Sequence, residues 1–523
     1  MTNLFPVSSR FLTQQVRDLL VRTKAPVSTW PDLLADHPEE LGVPAYLADL
    51  LRLEQSMKDA QETVVAPHTS GTSLKINPSL DAIAVSWTGL PEFLQSENTD
   101  HEPQFGNETI LVWTPPGSET VRVRPAGKND LLALKIVSDD LNPTDLAREN
   151  QIPVGVLDGA LARAVGEGLL LSPASAITRR PPRMNASHAS TDPFATARTF
   201  TLQWHITQQC DLACKHCYDR TDRVPLSLQN GLAVLDQFRD FCRTRFVTGQ
   251  VSFTGGNPFL HPSFYEFYQA AFERHLQVAV LGNPVPEEWL DRIQVHTTPA
   301  FYQVSLEGLS EHNDAIRGTG HFQRTMDFLE LLRERGIPSS VMLTLTRANM
   351  DQVLPLGELL RGRTDGFSFN RLAAFGEGSS LDQADPVAYA AFCREYLQAA
   401  RDNPVLNLKD NLLSIPLQEA GKDQFGGCTG FGCGAAFNFV SLLSDGELHA
   451  CRKLPSSLGN IFETGLGDLY DSPLAERYRQ GCTTCQGCSL FSVCGGCLAV
   501  TAGSGLDPFK DIDPFCPLRS SQS

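Results

Sequence analysis

The sequence predicts an α/β protein built on a partial parallel barrel of six βα units, with helical and winged-helix-like domains before it and a cysteine-rich domain after it. Three observations predict this. From Thr199 to Ala373, apolar strand-like runs alternate with amphipathic helical runs, the pattern of a parallel sheet with crossover helices. The 14 cysteines are absent before Cys210 and crowd into Cys210–Cys217 and Cys428–Cys516, with Cys242 and Cys393 standing alone. A chain of 523 residues is also longer than a single core serves.

Composition narrows the partners. Lys and Arg total 43 against 60 Asp and Glu, a net charge of −17, so a polyanion would be repelled and no nucleic-acid partner is expected. The start, MTNLFPVSSRFLTQQ, lacks a basic stretch followed by an apolar one, and no apolar run reaches about 18 residues. The expectation is a cytoplasmic protein with no membrane segment. In that compartment clustered cysteines serve metals rather than disulfides.

Residues 1–79 read as a helical extension. Phe11, Leu12, Val16, Leu19 and Leu20 recur at helical spacing, as do Leu47, Leu50, Leu51 and Leu53, while Pro31 and Pro44 stand where helices begin. Residues 80–171 change character. AIAVSW, ETILVW and SETVRVR read as strands; NDLLALKIVSDDL, NPTDLAREN and VGVLDGALARAVGEGLLL read as helices, the second opened by Asn142-Pro143. Strands followed by three helices make a winged-helix pattern, with a generic small α+β domain as the alternative. Residues 172–198 are rich in Pro, Ser, Thr and Ala without periodicity, and read as a linker.

Residues 199–420 hold the barrel. Its strands are FTLQWHI, QVSFTGG, QVAVLGN, FYQVSLEG, SSVMLTLT and GFSFNRLA, with helices such as SLQNGLAVLDQFRDFCRTR and FQRTMDFLELLRERG between them. Ligands of such sheets bind at the carboxyl ends of the strands, and Cys210, Cys214 and Cys217 follow the first strand at that end. A structural zinc site is closed by four protein ligands. Three thiolates around an iron–sulfur cube instead leave one iron open to a small molecule. Zinc completed by His205 or His216 is the competing reading. Cys242 and Cys393 fall in amphipathic helices and read as small buried apolar residues.

Cys210-x3-Cys214-x2-Cys217, with His216 before the last cysteine, is followed in order by TGGNP at the end of the second strand, VSLEG at the end of the fourth, and HNDAIRGTGHF. This set resembles the radical S-adenosylmethionine (SAM) enzymes. The resemblance implies a 4Fe–4S cluster on Cys210, Cys214 and Cys217 whose open iron chelates the amino and carboxylate groups of S-adenosyl-L-methionine. Electron transfer then yields a 5′-deoxyadenosyl radical that abstracts hydrogen from substrate. It implies SAM contacts from Gly255, Gly256, Asn257 and Pro258, from Ser305, and from Arg317; Phe375 and Gly376 are expected near the adenosine. The family carries Glu where Asn257 stands, so the amide oxygen of Asn257 is expected to accept from the SAM amino group without the charge. Tyr218 reads as packing.

Residues 421–523 contain Cys428, Cys433, Cys451, Cys482, Cys485, Cys488, Cys494, Cys497 and Cys516. Gly446-x4-Cys451 and Cys485-x2-Cys488-x5-Cys494-x2-Cys497 resemble the SPASM domain of radical SAM enzymes that act on peptides and proteins, with the last spacing one residue short. The resemblance implies two auxiliary 4Fe–4S clusters, one on Cys428, Cys433, Cys451 and Cys497, the other on Cys485, Cys488, Cys494 and Cys516. Cys482 is left over. A pair of structural zinc sites is the alternative.

With this core downstream, the winged-helix segment resembles the leader-recognition element of peptide maturases, which adds an extended leader to a sheet edge. The expected function is modification of a ribosomally synthesised precursor peptide, giving a crosslink, thioether or oxidised heterocycle. Selenobiotic and thio(seleno)oxazole-type maturases share the layout, and no motif selects that subfamily. The expected partners are the leader-bearing precursor and a reductant such as flavodoxin or ferredoxin. Two alternatives are a formylglycine-forming enzyme like the sulfatase maturases and a non-catalytic metal-cluster scaffold that binds peptide. Sulfatase maturases place an Asp base directly after the cysteine of Gly-x4-Cys; here that residue is Arg452, which cannot accept a proton.

Overall fold

The computed structural model describes residues 5–23, 26–35, 38–95, 102–179 and 192–518. The chain divides into two compact units, Met1–Ala174 and Ser175–Ser523.

In the first unit, β1 (Lys75–Ile76) pairs antiparallel with β5 (Leu170–Leu171), and β2 (Asp81–Thr88), β3 (Gln104–Trp113) and β4 (Arg122–Pro125) form an antiparallel sheet in that order. The end of β3 shows why both faces are covered. Side chains alternate along a strand, so Ile110 and Val112 join one core and Leu111 and Trp113 the other. The first core takes Val16, Leu20, Trp30, Leu47, Leu50 and Leu51 from the helices Gln14–Thr23, Trp30–Ala35 and Leu47–Glu62. The second takes Ala133, Ile136, Leu157 and Leu161 from Lys128–Ser138 and Val154–Glu167. The N-terminal helices thus share a core with the sheet. Asn142 caps the helix Pro143–Asn150, its side chain accepting from Thr144 N at 2.9 Å.

In the second unit, β6 (Thr199–Thr207), β7 (Thr248–Gly255), β8 (Gln277–Leu281), β9 (Tyr302–Ser305), β10 (Ser339–Leu345) and β11 (Gly366–Arg371) are the six parallel strands expected. Their inward and outward apolar residues, among them Trp204, Phe253, Val280, Val304, Leu343 and Phe369, are buried together with helix faces such as Val234, Phe238, Phe267 and Leu329. The sheet does not stop at β6. β12 (Phe439–Leu442) pairs parallel with it, and β13 (Glu447–His449) and β14 (Ser457–Asn460) follow antiparallel, giving the order β11-β10-β9-β8-β7-β6-β12-β13-β14. None of these last three strands is expected from the local sequence pattern. They carry the Gly446–Cys451 segment on the edge of the barrel sheet itself. Of the expected linker, residues 180–191 lie outside the described residues; 175–179 and 194–197 belong to the second unit, where Arg179 N donates to Ala195 O at 2.8 Å. Among the described residues no helix is long and apolar enough to cross a membrane.

Candidate functional site

The first cysteine group sits on the loop after β6, at the carboxyl end of the strands. The turn after β7 fits tightly beneath it. Gly256 N donates to Thr207 O at 2.9 Å and Asn257 N to Gln209 O at 2.7 Å. A Cβ on Gly256 would lie 2.0 Å from the Gln209 carbonyl oxygen and 2.9 Å from Cys210 Cβ, so only glycine lets the backbones approach. Gly255, at φ 132°, is equally confined against Thr207. Asn257 is buried; its oxygen accepts from Phe259 N at 3.3 Å and its nitrogen donates to Asp211 Oδ1 at 3.1 Å. Asn283, after β8, donates to the same oxygen at 2.7 Å and approaches Cys210 Sγ at 3.5 Å.

Arg317 closes the loop from the other side. Its guanidinium donates twice to Glu307 Oε1, at 2.9 and 2.6 Å, and reaches Cys214 Sγ at 3.7 Å. His216 Nε2 lies 2.7 Å from the same carboxylate, and Thr344 N donates to its other oxygen at 2.9 Å. Burial pushes the Glu307 carboxyl up, but His216 and Arg317 beside it hold it well below the usual carboxylate range. Burial likewise pushes the Cys214 thiol up, with Arg317 opposing. Arg317 is therefore committed to the cysteine loop and to Glu307, a residue of the SLEG segment that the sequence reading did not single out. Ser305 ends β9 half-buried, opposite Met342 of β10, and its hydroxyl makes no side-chain hydrogen bond among the described residues. Gly376 packs on the loop: a Cβ there would lie 2.4 Å from Tyr218 O, and Glu377 N donates to Cys217 O at 2.8 Å. Tyr218 Oη lies 3.2 Å from His205 Nε2; burial, then Arg452, pushes His205 down to about 3, so the ring is neutral at pH 7.

The remaining cysteines fall into two neighbourhoods. Cys433 has Cys451 and Cys428 beside it, Cys451 has Cys497 and Cys428, and Cys497 has Cys433. Cys485, Cys488, Cys494 and Cys516 together line one apolar cavity with Leu412, Ile415 and Leu490. Cys482 lies against Cys485 and its thiol donates to Asp511 O at 3.3 Å. All 14 cysteines are free thiols. Among the described residues no three His, Cys, Asp or Glu side chains converge on one point as ligands of a single ion do; Cys485, Cys488, Cys494 and Cys516 stand around a cavity instead. Burial pushes Cys433 and Cys451 up to about 11 and Cys497 up to about 12, so their thiolates form only when a cation compensates. These donor sets fit iron–sulfur clusters: Cys210, Cys214 and Cys217 would hold the one with an open iron, and the two quartets the closed ones.

Behind the quartets is a buried charge cluster absent from the sequence reading. Arg371, at the end of β11, donates to Asp410 at 2.8 Å and to both oxygens of Asp513 at 2.8 and 2.9 Å. Asp513 in turn accepts from Cys497 N at 2.9 Å and Phe515 N at 3.0 Å. No periodic signal links residues 142 positions apart.

Residues 204–360 match the model of the radical SAM superfamily, and residues 433–498 that of the SPASM iron-sulfur cluster-binding domain. The chain carries a radical SAM domain followed by a SPASM domain. Over 311 residues this chain is 27% identical to the antilisterial bacteriocin subtilosin biosynthesis protein AlbA of Bacillus subtilis, covering 56% of this chain and 66% of that protein. Against the mycofactocin maturase MftC of Mycolicibacterium smegmatis it is 28% identical over 340 residues, 60% of this chain and 82% of the other. The crystal structure of Streptococcus suis SuiB bound to S-adenosylmethionine superposes with a TM-score of 0.51 at 17% identity, covering 79% of this chain and 97% of that one; the likeness is one of fold. The two domains bring 4Fe–4S clusters and SAM as cofactors.

Proposed function

We propose that this radical SAM enzyme modifies a ribosomally synthesised precursor peptide by hydrogen abstraction from a peptide C–H, and that the product is a crosslink, thioether or oxidised heterocycle. The observation that carries the proposal is the three-thiol loop at the carboxyl end of β6, with β12, β13 and β14 of the SPASM segment continuing the same sheet and Cys451 lying between β13 and β14. When bound, the cluster and SAM would supply a 5′-deoxyadenosyl radical, one electron from a flavodoxin- or ferredoxin-type donor breaking the C5′–S bond of SAM and releasing methionine.

The chain's own residues position and exclude. Gly255 and Gly256 let the turn after β7 pack against the cysteine loop. Glu307 holds His216 and Arg317 at that loop, and Ser305 offers a hydroxyl at the adjacent strand end. Buried His205 and half-buried Tyr218, whose hydroxyl meets the His205 ring, lie close to Arg452 and, for Tyr218, to Cys217. Arg452 supplies a permanent cation where formylglycine formation would need a base. Residues 80–171 serve as the leader-recognition element: among the described residues β4 is paired on one side only, and an extended peptide adding to it would gain main-chain hydrogen bonds. The subtilosin and mycofactocin proteins support the peptide assignment, as does SuiB, whose structure bound to precursor peptide SuiA is known.

The test is co-expression with candidate precursor peptides taken from the neighbouring open reading frames, followed by mass spectrometry. A loss of two hydrogens that disappears when Cys210, Cys214 and Cys217 are all replaced by Ala supports the proposal; an unmodified peptide in the presence of cluster-loaded, SAM-cleaving protein refutes it.

A further inference from the structure

At the mouth of the barrel, one carboxylate has no cationic partner. Asp211 directly follows Cys210 on the loop, is exposed, and makes no ion pair with any Lys, Arg or His of the described residues. Two buried amides aim at it. Asn257 and Asn283 come from the ends of neighbouring strands, β7 and β8, and both donate to Oδ1, at 3.1 and 2.7 Å. Each donor is itself fixed. Asn257 oxygen takes Phe259 N, and the Asn283 carbonyl takes Tyr302 Oη at 2.7 Å. Asn283 also touches Cys210 Sγ at 3.5 Å, so the carboxylate is oriented beside a cluster ligand. Oδ2 takes no hydrogen bond among the described residues.

An amino group bound to a metal through nitrogen keeps N–H donors, and these need an acceptor, best an ionised one. Asn257 is poorly placed to be that acceptor, because its oxygen is already spent on Phe259 and its nitrogen faces Asp211. We propose that Asp211 is the acceptor of the cofactor's amino group, and that Asn257 acts as a positioning residue that aims it. The carboxylate thus reaches the cofactor from the cysteine loop rather than from the strand end. The inference rests on the reading that Cys210, Cys214 and Cys217 carry the SAM-binding cluster.

The test uses the full chain, reconstituted anaerobically with iron and sulfide, and reads SAM affinity by equilibrium dialysis alongside iron content. Asp211→Asn keeps the shape and both amide contacts on Oδ1. It is expected to weaken SAM binding at least about tenfold, with iron content and affinity for 5′-methylthioadenosine, which lacks the amino acid, unchanged. Adding Asn257→Glu in the Asp211→Asn background returns a carboxylate to the same place and is expected to restore most of the lost affinity. Equal SAM affinity in Asp211→Asn overturns the proposal. So does a loss that Asn257→Glu fails to restore, or a parallel loss of iron or of 5′-methylthioadenosine binding, each of which makes Asp211 a brace of the loop. Wild-type protein that binds iron but no SAM would instead refute the underlying reading of the cluster.

Discussion

Gly256 has no room for a methyl group: the position it would occupy is 2.0 Å from Gln209 O, a backbone atom that cannot rotate away. Gly256→Ala is therefore expected to cost about 1–3 kcal/mol and to displace the cysteine loop. Iron analysis should show the first cluster depleted and the two SPASM clusters retained. Glu307 is a different case. It compensates the charge of Arg317 where both are almost wholly buried, so Glu307→Leu is expected to destabilise the protein by about 3–5 kcal/mol in a denaturant titration. Because the folded carboxyl is held below its unfolded value, its contribution is present above about pH 5 and is lost only as pH falls further, leaving it constant from pH 6 to 8. His321 behaves oppositely in sign of charge. Burial pushes it down to about 4, so between about pH 6.5 and 4 the unfolded chain binds the proton first and stability falls with pH. Denaturation midpoints at pH 7.5 and 5.5 should separate more in wild type than in His321→Gln.

At the scale of elements, β6 to β11 and the helices between them were legible because each carries its own periodic signal and because βα alternation admits few topologies. β12, β13 and β14 were not. They are four, three and four residues long, too short to show a period, and β12 owes its existence to pairing with β6, where Leu442 meets Trp204. The same long-range logic governs the clamp of Arg371 on Asp410 and Asp513, which ties the last barrel strand to the loop between Cys497 and Cys516. Asp513→Ala leaves Arg371 buried with half its partners and frees the Cys497 amide. The expected outcome is a loss of iron confined to the SPASM clusters, seen as a lower iron-to-protein ratio with SAM binding at the first cluster intact.

The molecule as a whole consists of two units with separate cores. If the first serves only to hold a leader, residues 175–523 expressed alone should bind iron and convert SAM to 5′-deoxyadenosine when reduced with dithionite, yet leave the precursor unmodified. Product analysis by mass spectrometry measures both.

The sequence by itself determined the ligand chemistry and its order: three thiols after a strand, GGNP and SLEG at later strand ends, and a cysteine-rich end, all local patterns that folding does not rearrange. It also placed Asn257 where the family keeps a carboxylate. Only the tertiary structure decided which thiols are neighbours, that Glu307 governs Arg317 and His216, and that Asn257 and Asn283 converge on Asp211. Those contacts join residues tens to hundreds of positions apart, and a hydrogen bond's direction follows from where strand ends meet in space, which no local periodicity encodes.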